Sequence, residues 1–246
     1  MGIHISRGVR MRIPPGGLVL DLRAGMRIET VELQLDTCIH WLEIALEHLA
    51  SAVAANQELV AARPGNAELG AVLDREFKAS VQAAVAAATF FEALHAATMD
   101  RCPPPVLRPS VAPKKRPTRY ATVAEQLRRS FGLRKQGTAN LRSVLVEVYR
   151  FRDQAVHPTA AFTAPVLHPQ LNVGVEHRFV MFCASSAQQL VRAALAFSKI
   201  LPSRDLSKRP KEIQEFGAYL LNVCEPLYIK WEQLYGPLLD APSAVT

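Results

Sequence analysis

Apolar residues recur at threes and fours along most of the chain, the spacing of amphipathic helices. Leu35, Cys38, Ile39, Leu42, Leu46, Leu49 and Val53 fall on one face of a helix that starts between Thr30 and Thr37 and stops before Pro64 and Gly65. Leu69, Leu73, Phe77, Val81, Ala84, Ala88 and Phe91 make the stripe of a second helix over about 66–99. Two long helices joined by a short Pro-Gly turn predict an antiparallel pair. Thr122 and Glu125 have the spacing of a capping box, opening a short helix that ends near Gly132. Thr138 is expected to cap another helix over 139–156, which Pro158 ends. An irregular stretch with Pro158, Pro165, Pro169 and Gly174 follows. Further helices are predicted over about 176–201 and from about Pro210 through Leu234, with Pro226 expected to kink or divide the last.

Two stretches break this rhythm. Near the start, Ile3, Ile5, Val9, Met11 and Ile13 tend to alternate with polar residues, and Pro14 to Gly17 is a turn signal before Leu18 to Leu22. Residues 1–28 are therefore expected to form a short arm or hairpin. Val31, Leu33 and Leu35 also alternate, which blurs the start of the first helix. Residues 101–119 hold six prolines among basic residues and predict an extended loop. The fold class expected is all-α: an antiparallel bundle of about five to six helices over 29–240, interrupted by that basic, proline-rich loop.

Composition narrows the class. Half the residues are apolar, enough for a substantial core. The net charge of +7 reads first as an ordinary solubility device, and also permits an acidic partner such as RNA. Lys114, Lys115 and Arg116 in the loop are the candidate nucleic-acid contacts. Cys38, Cys102, Cys183 and Cys224 are far apart in sequence and form no C-x-x-C pair, so neither a disulfide framework nor a zinc site is expected. That usage fits a reducing, cytoplasmic setting. No secretory h-region is expected in the first fifteen residues, although Gly2 and Ser6 match a loose myristoylation pattern. The most apolar window, Ala79 to Ala97, is alanine-rich and holds Gln82, Glu92 and His95; it reads as a closely packed core helix, not a membrane span. Phosphate-loop, dinucleotide and hydrolase-elbow motifs are missing, and the helical histidines lack metal-ligand spacing, so no cofactor and no metal are expected.

One residue is out of place. At about 100° per residue, Val144, Leu145, Val148, Ala155 and Val156 all fall within about 60° of Leu141. Arg152 falls in the middle of that apolar face, while Arg150 lies opposite. A guanidinium keeps its proton, so it needs an anion, a carbonyl or water. Three solutions stay open: a carboxylate within the fold, escape past the helix end to solvent, or a cleft that takes a phosphate. Five residues on, His157 stands at the helix C-terminus, where unpaired carbonyls favour an imidazolium. Asp153 is one turn before it and can orient the ring. A fixed cation beside a proton carrier suits RNA cleavage without a metal.

The segment Phe151 to Pro158, FRDQAVHP, resembles the motif of HEPN domains: an arginine, four to six residues, then a histidine, with a polar residue commonly after the arginine. Arg152 and His157 match with four residues between, and Asp153 fills the polar position. The resemblance implies a helical bundle, a metal-independent endoribonuclease that pairs two motifs across a homodimer, and a role among toxins or defence factors, sometimes with an antitoxin partner. It implies that Arg152 and His157 are the active residues and that Asp153 positions or tunes them. The alternative is a non-catalytic module of the same fold that binds RNA, a nucleotide or a protein. The basic loop and the N-terminal arm have no counterpart in that pattern.

Overall fold

The computed structural model describes residues 7–21, 25–61, 68–105, 117–157 and 162–239. The Pro64–Gly65 turn, the Pro158 stop, Gly2 and Lys114, Lys115 and Arg116 lie outside them. The all-α expectation holds. Seven helices and three two-stranded sheets are present among the described residues.

The alternating N-terminal stretch is a nested hairpin. β1 (Val9–Arg12) pairs antiparallel with β4 (Glu32–Leu35), and β2 (Leu18–Asp21) with β3 (Gly25–Ile28). Leu33 and Leu35 of that alternation thus belong to strand β4, with Val31 just before it, and the first helix begins only afterwards. Gly8 makes the base of the hairpin possible. Its φ is +85°, and a Cβ there would stand 2.7 Å from the Asp36 carbonyl oxygen, so no other residue fits without strain.

The two long helices are α1 (Cys38–Ala61) and α2 (Leu69–Arg101). They pack along their length through Leu42, Leu46 and Leu49 on α1 and Ala83, Ala87, Phe90 and Leu94 on α2, all buried. α3 (Arg119–Phe131) and α4 (Lys135–Val156) follow, joined by a turn in which Gly132 is left-handed, a usual way to end a helix.

Both expected caps sit one turn inside their helices. Thr118 and Arg134 occupy the N-cap positions, and the Thr122 and Thr138 hydroxyls donate instead to the carbonyls of Thr118 and Arg134. Glu125 does not reach back; it pairs with Arg128 one turn ahead. A Thr four residues from a free carbonyl satisfies that carbonyl as readily as it caps, so spacing alone did not place the helix start.

After β5 (Val166–Leu167) and β6 (Gly174–Val175), the helix expected over 176–201 is broken in two: α5 (His177–Met181) and α6 (Ala184–Ile200). A carboxylate from elsewhere causes the second start. Glu76 of α2, itself buried, accepts the Ala184 backbone N–H at 2.8 Å and an Asn56 amide N–H at 2.9 Å. Of the kink or division expected at Pro226, the division does not occur: α7 (Lys211–Tyr235) continues through the proline as one helix. Burial of Leu220, Cys224, Leu227, Tyr228 and Trp231 on both sides of the proline keeps the helix whole despite the lost backbone hydrogen bond.

The hairpin, α2 and α7 meet at a buried ion pair. Arg101 Nη2 donates to Asp36 Oδ2 at 2.5 Å, with both side chains 5% exposed. Arg101 also donates to the Ala97 carbonyl at 2.7 Å and lies 4.2 Å from the centre of the Phe216 ring; Arg10 Nε stands 3.3 Å from Asp36. Removing one partner strands a charge in the interior. Asp36→Ala is expected to lower unfolding stability by about 3–5 kcal/mol, read from the urea midpoint at constant m-value. A loss below about 1 kcal/mol would mean that Arg101 escapes to solvent.

Candidate functional site

The site lies where the last turns of α4 meet α2 and the start of α3. Leu141, Leu145, Val148 and Tyr149 carry the buried face of α4, and Val144 and Ala155 are half-buried beside them. The face opens at the end: Val156 is 53% exposed, and Phe162, which resumes the described chain, is fully exposed. Arg152 stands at this border, with its side chain 29% exposed.

Of the three solutions left open for Arg152, the fold uses a carboxylate. Nη1 of Arg152 is 3.3 Å from Glu92 Oε1 on α2. Its Nη2 and Nε donate to Asp153 Oδ1 at 2.7 and 3.0 Å. The guanidinium also lies over the Tyr149 ring, 4.6 Å from its centre.

Glu92 is the hub. Arg119, the first residue of α3, donates from Nε to both Glu92 oxygens at 3.0 Å and from Nη2 to Oε2. Burial pushes the Glu92 carboxyl up. The Arg119 hydrogen bonds, with the charges of Arg119 and Arg152, outweigh that and hold it below the usual carboxylate range. The Tyr149 phenol is pushed up by burial and then by the charge of Glu92, so it stays protonated. His95, one turn along α2, is buried; burial, then the positive charge of Arg119, holds its imidazole below the usual histidine range. Its Nε2 has no hydrogen-bond partner among the described residues.

Arg152 and Asp153 are thus brought together, and Arg152 takes the carboxylate that was expected to orient His157. His157 is exposed at the C-cap of α4, where its backbone N–H donates to the Asp153 carbonyl at 2.8 Å; no side chain among the described residues hydrogen-bonds its ring. Neither later histidine joins this group. His168 is buried under the β5–β6 turn, its Nδ1 accepting from the backbone N–H groups of Gln170 and Leu171, and it feels the charge of Glu76. Glu76 is 16 residues from Glu92 along α2, about 24 Å. His177 pairs with Glu176.

The sequence reading missed Glu92, Arg119 and Tyr149. One signal was available: Glu92 is the only charged residue in the apolar window from Ala79 to Ala97, as anomalous there as Arg152 is on its own face. No group of three or more metal-ligating side chains occurs among the described residues, and none of their helices is long and apolar enough to cross a membrane.

No protein-family model matches the chain, and neither does any curated protein or any solved structure.

The depressed Glu92 and His95 fix a pH dependence. A carboxyl that titrates below its unfolded value of about 4.3 stabilises the fold above that value and loses the contribution as pH falls through the folded one. A histidine held neutral contributes fully above about 6.5 and loses its contribution as pH falls below that. The melting temperature is expected to decline below about pH 6.5 and again below about pH 4. Glu92→Gln should lower it at neutral pH and flatten the second decline. An unchanged acid limb in that variant would show that the Arg119–Glu92–Arg152 link adds nothing to stability.

Proposed function

We propose that the chain is an HEPN-like endoribonuclease that acts without a metal, with its active group at the end of α4. The observation that carries the reading is the arrangement of Arg152 and His157. A guanidinium is fixed from three sides by Glu92, Asp153 and Tyr149, and an exposed imidazole stands one turn and a half beyond it in a helical bundle.

Arg152 would hold the non-bridging oxygens of the scissile phosphate. His157, neutral, would take the proton from a ribose 2′-hydroxyl as its oxygen attacks phosphorus. The bond to the 5′-oxygen then breaks, giving a 2′,3′-cyclic phosphate, and a second, protonated histidine supplies the proton to the leaving oxygen. A second copy of the chain offers that histidine. Val156 and Phe162, exposed on either side of His157 in the sequence, supply apolar surface for such a homodimer. A toxin or defence role, with an antitoxin partner covering this end, would follow from that activity.

A specific observation favours a second reading. Two guanidinium groups and two carboxylates share the network, so its charges cancel, and Arg152 has its partners before any substrate arrives. On that reading the module is non-catalytic and Arg152 ties α4 to α2.

Cleavage of RNA in EDTA separates the two. The ribonuclease reading expects the wild type to cut and both Arg152→Ala and His157→Ala, verified as folded, to lose about 100-fold or more. The second expects no cleavage by any of them, a lower melting temperature for Arg152→Ala, and little change for His157→Ala.

A further inference from the structure

The charge of this chain is unevenly spread. From Arg119 to Arg142 there are six basic residues (Arg119, Arg128, Arg129, Arg134, Lys135 and Arg142) and one acidic residue, Glu125. That excess of five is most of the +7 carried by all 246 residues. Arg119, at the start of α3, belongs to the Glu92 network; the other five basic residues flank the corner where α3 turns into α4 at Gly132.

Folding gathers much of this charge. Arg128, Lys135 and Arg142 line one open groove together with Leu133, Thr138 and Ala139, with a volume of about 460 Å³. Lys135 and Arg142 are exposed, and neither is paired with a carboxylate among the described residues; Arg142 lies over the Tyr120 ring, 5.6 Å from its centre. Arg128 shares the only acidic residue of the stretch, Glu125, at 2.7 Å. Arg134, at the N-cap of α4, is exposed, and the first turn of that helix holds no acidic residue. On the other side of the turn, Arg209 from the segment before α7 packs against Gly132 and donates to the Arg129 carbonyl at 3.2 Å, adding a further cation. Cations brought together with a single compensating carboxylate repel one another, and a polyanion relieves that repulsion.

We propose that this groove is a docking surface for the phosphate backbone of single-stranded RNA, separate from the candidate catalytic end. Charge complementarity favours a polyanion. The choice of RNA among polyanions rests on the ribonuclease reading above. The groove is on the N-terminal half of α4 and Arg152 and His157 at its other end; along the helix axis Arg152 is about 15 Å from Arg142 and about 26 Å from Lys135. A strand engaging both ends has to span that length, so the corner acts on affinity and on the length of RNA required, not on the chemical step.

The test uses the full chain and a labelled single-stranded RNA of about 20 nucleotides whose 2′-hydroxyls are methylated, so that binding is read without cleavage. Each phosphate contact on a single strand contributes about 0.7 to the slope of log affinity against log salt. Losing two contacts in Lys135→Ala/Arg142→Ala should reduce the slope by about 1.4 and weaken binding about 25-fold near 0.1 M salt. Lys135→Arg/Arg142→Lys should bind as the wild type does, and circular dichroism should show all proteins folded, since both side chains are exposed.

Wild-type affinity and slope in the double alanine variant would overturn the proposal, as would a wild type that does not bind. Equal binding of poly-glutamate at matched charge would also overturn it, because the surface would then suit an acidic protein as well as a nucleic acid. If the groove binds as expected while the wild type fails to cut unmodified RNA in EDTA, the ribonuclease reading falls alone.

Discussion

α2 is the helix the others share: it packs against α1, α3, α4, α5, α6 and α7, and leaves only a narrow edge with Arg75, Lys78 and Gln82 exposed. Where neighbours cross it, such a helix has to be thin and has little room for polar groups. Alanine meets the first requirement, at buried positions 79, 83, 84, 86, 87, 88 and 97. Of the charged residues on α2, three lie on its packed faces, and each fixes a different neighbour. Glu76 caps the start of α6, Glu92 gathers Arg119 of α3 and Arg152 of α4, and Arg101 binds Asp36 at the base of the hairpin and packs on Phe216 of α7. Hydrophobic burial supplies most of the drive to fold, but it does not say where along α2 a partner stops. The charged residues do, because a slip of one turn would leave each of them buried without its partner.

That division explains what the sequence reveals. Periodicity reports which face of a helix is covered, so the class of the fold, the pairing of the two long helices and the packing of the 79–97 window as a core helix are legible from spacing. The ends of helices are less so. Thr122 and Thr138 look like caps, but their hydroxyls serve carbonyls a turn earlier. The break at Cys183 and Ala184 depends on Glu76, more than a hundred residues away in the chain, and no local pattern contains it. Pro226 shows the converse: a strong local breaker is overruled because the residues on both sides are buried against the core.

The candidate site shows the same limit. Winding the helix places Arg152 on an apolar face and so establishes that it needs a partner; it does not supply the partner. Glu92 was anomalous for the same reason, a lone carboxylate among alanines and phenylalanines. Two opposite charges, each out of place on its own helix, are a signal that they meet, and here they do at 3.3 Å. His157 is different. It is exposed at a helix end, so nothing in burial or pairing marks it, and only its spacing from Arg152 singles it out.

The charges also constrain what the end of α4 can do. Arg119 and Arg152 are balanced by Glu92 and Asp153, so a single copy presents little net attraction to a phosphate there. An activity on RNA at this end therefore needs positive potential from another source. Two sources are compatible with the fold. A second copy docked on the apolar rim of Val156 and Phe162 would bring another His157 and shed water from the network, which strengthens every interaction inside it. The α3–α4 corner offers an excess of cations over carboxylates, but about 15 Å or more along α4 from Arg152, beyond the screening length of about 8–10 Å, so that it acts on the phosphate being cleaved only by holding the same strand. The two sources are not rivals. One would set the local field at the reacting group and the other the residence of the strand, and α4, as a single rigid helix, fixes the distance between them.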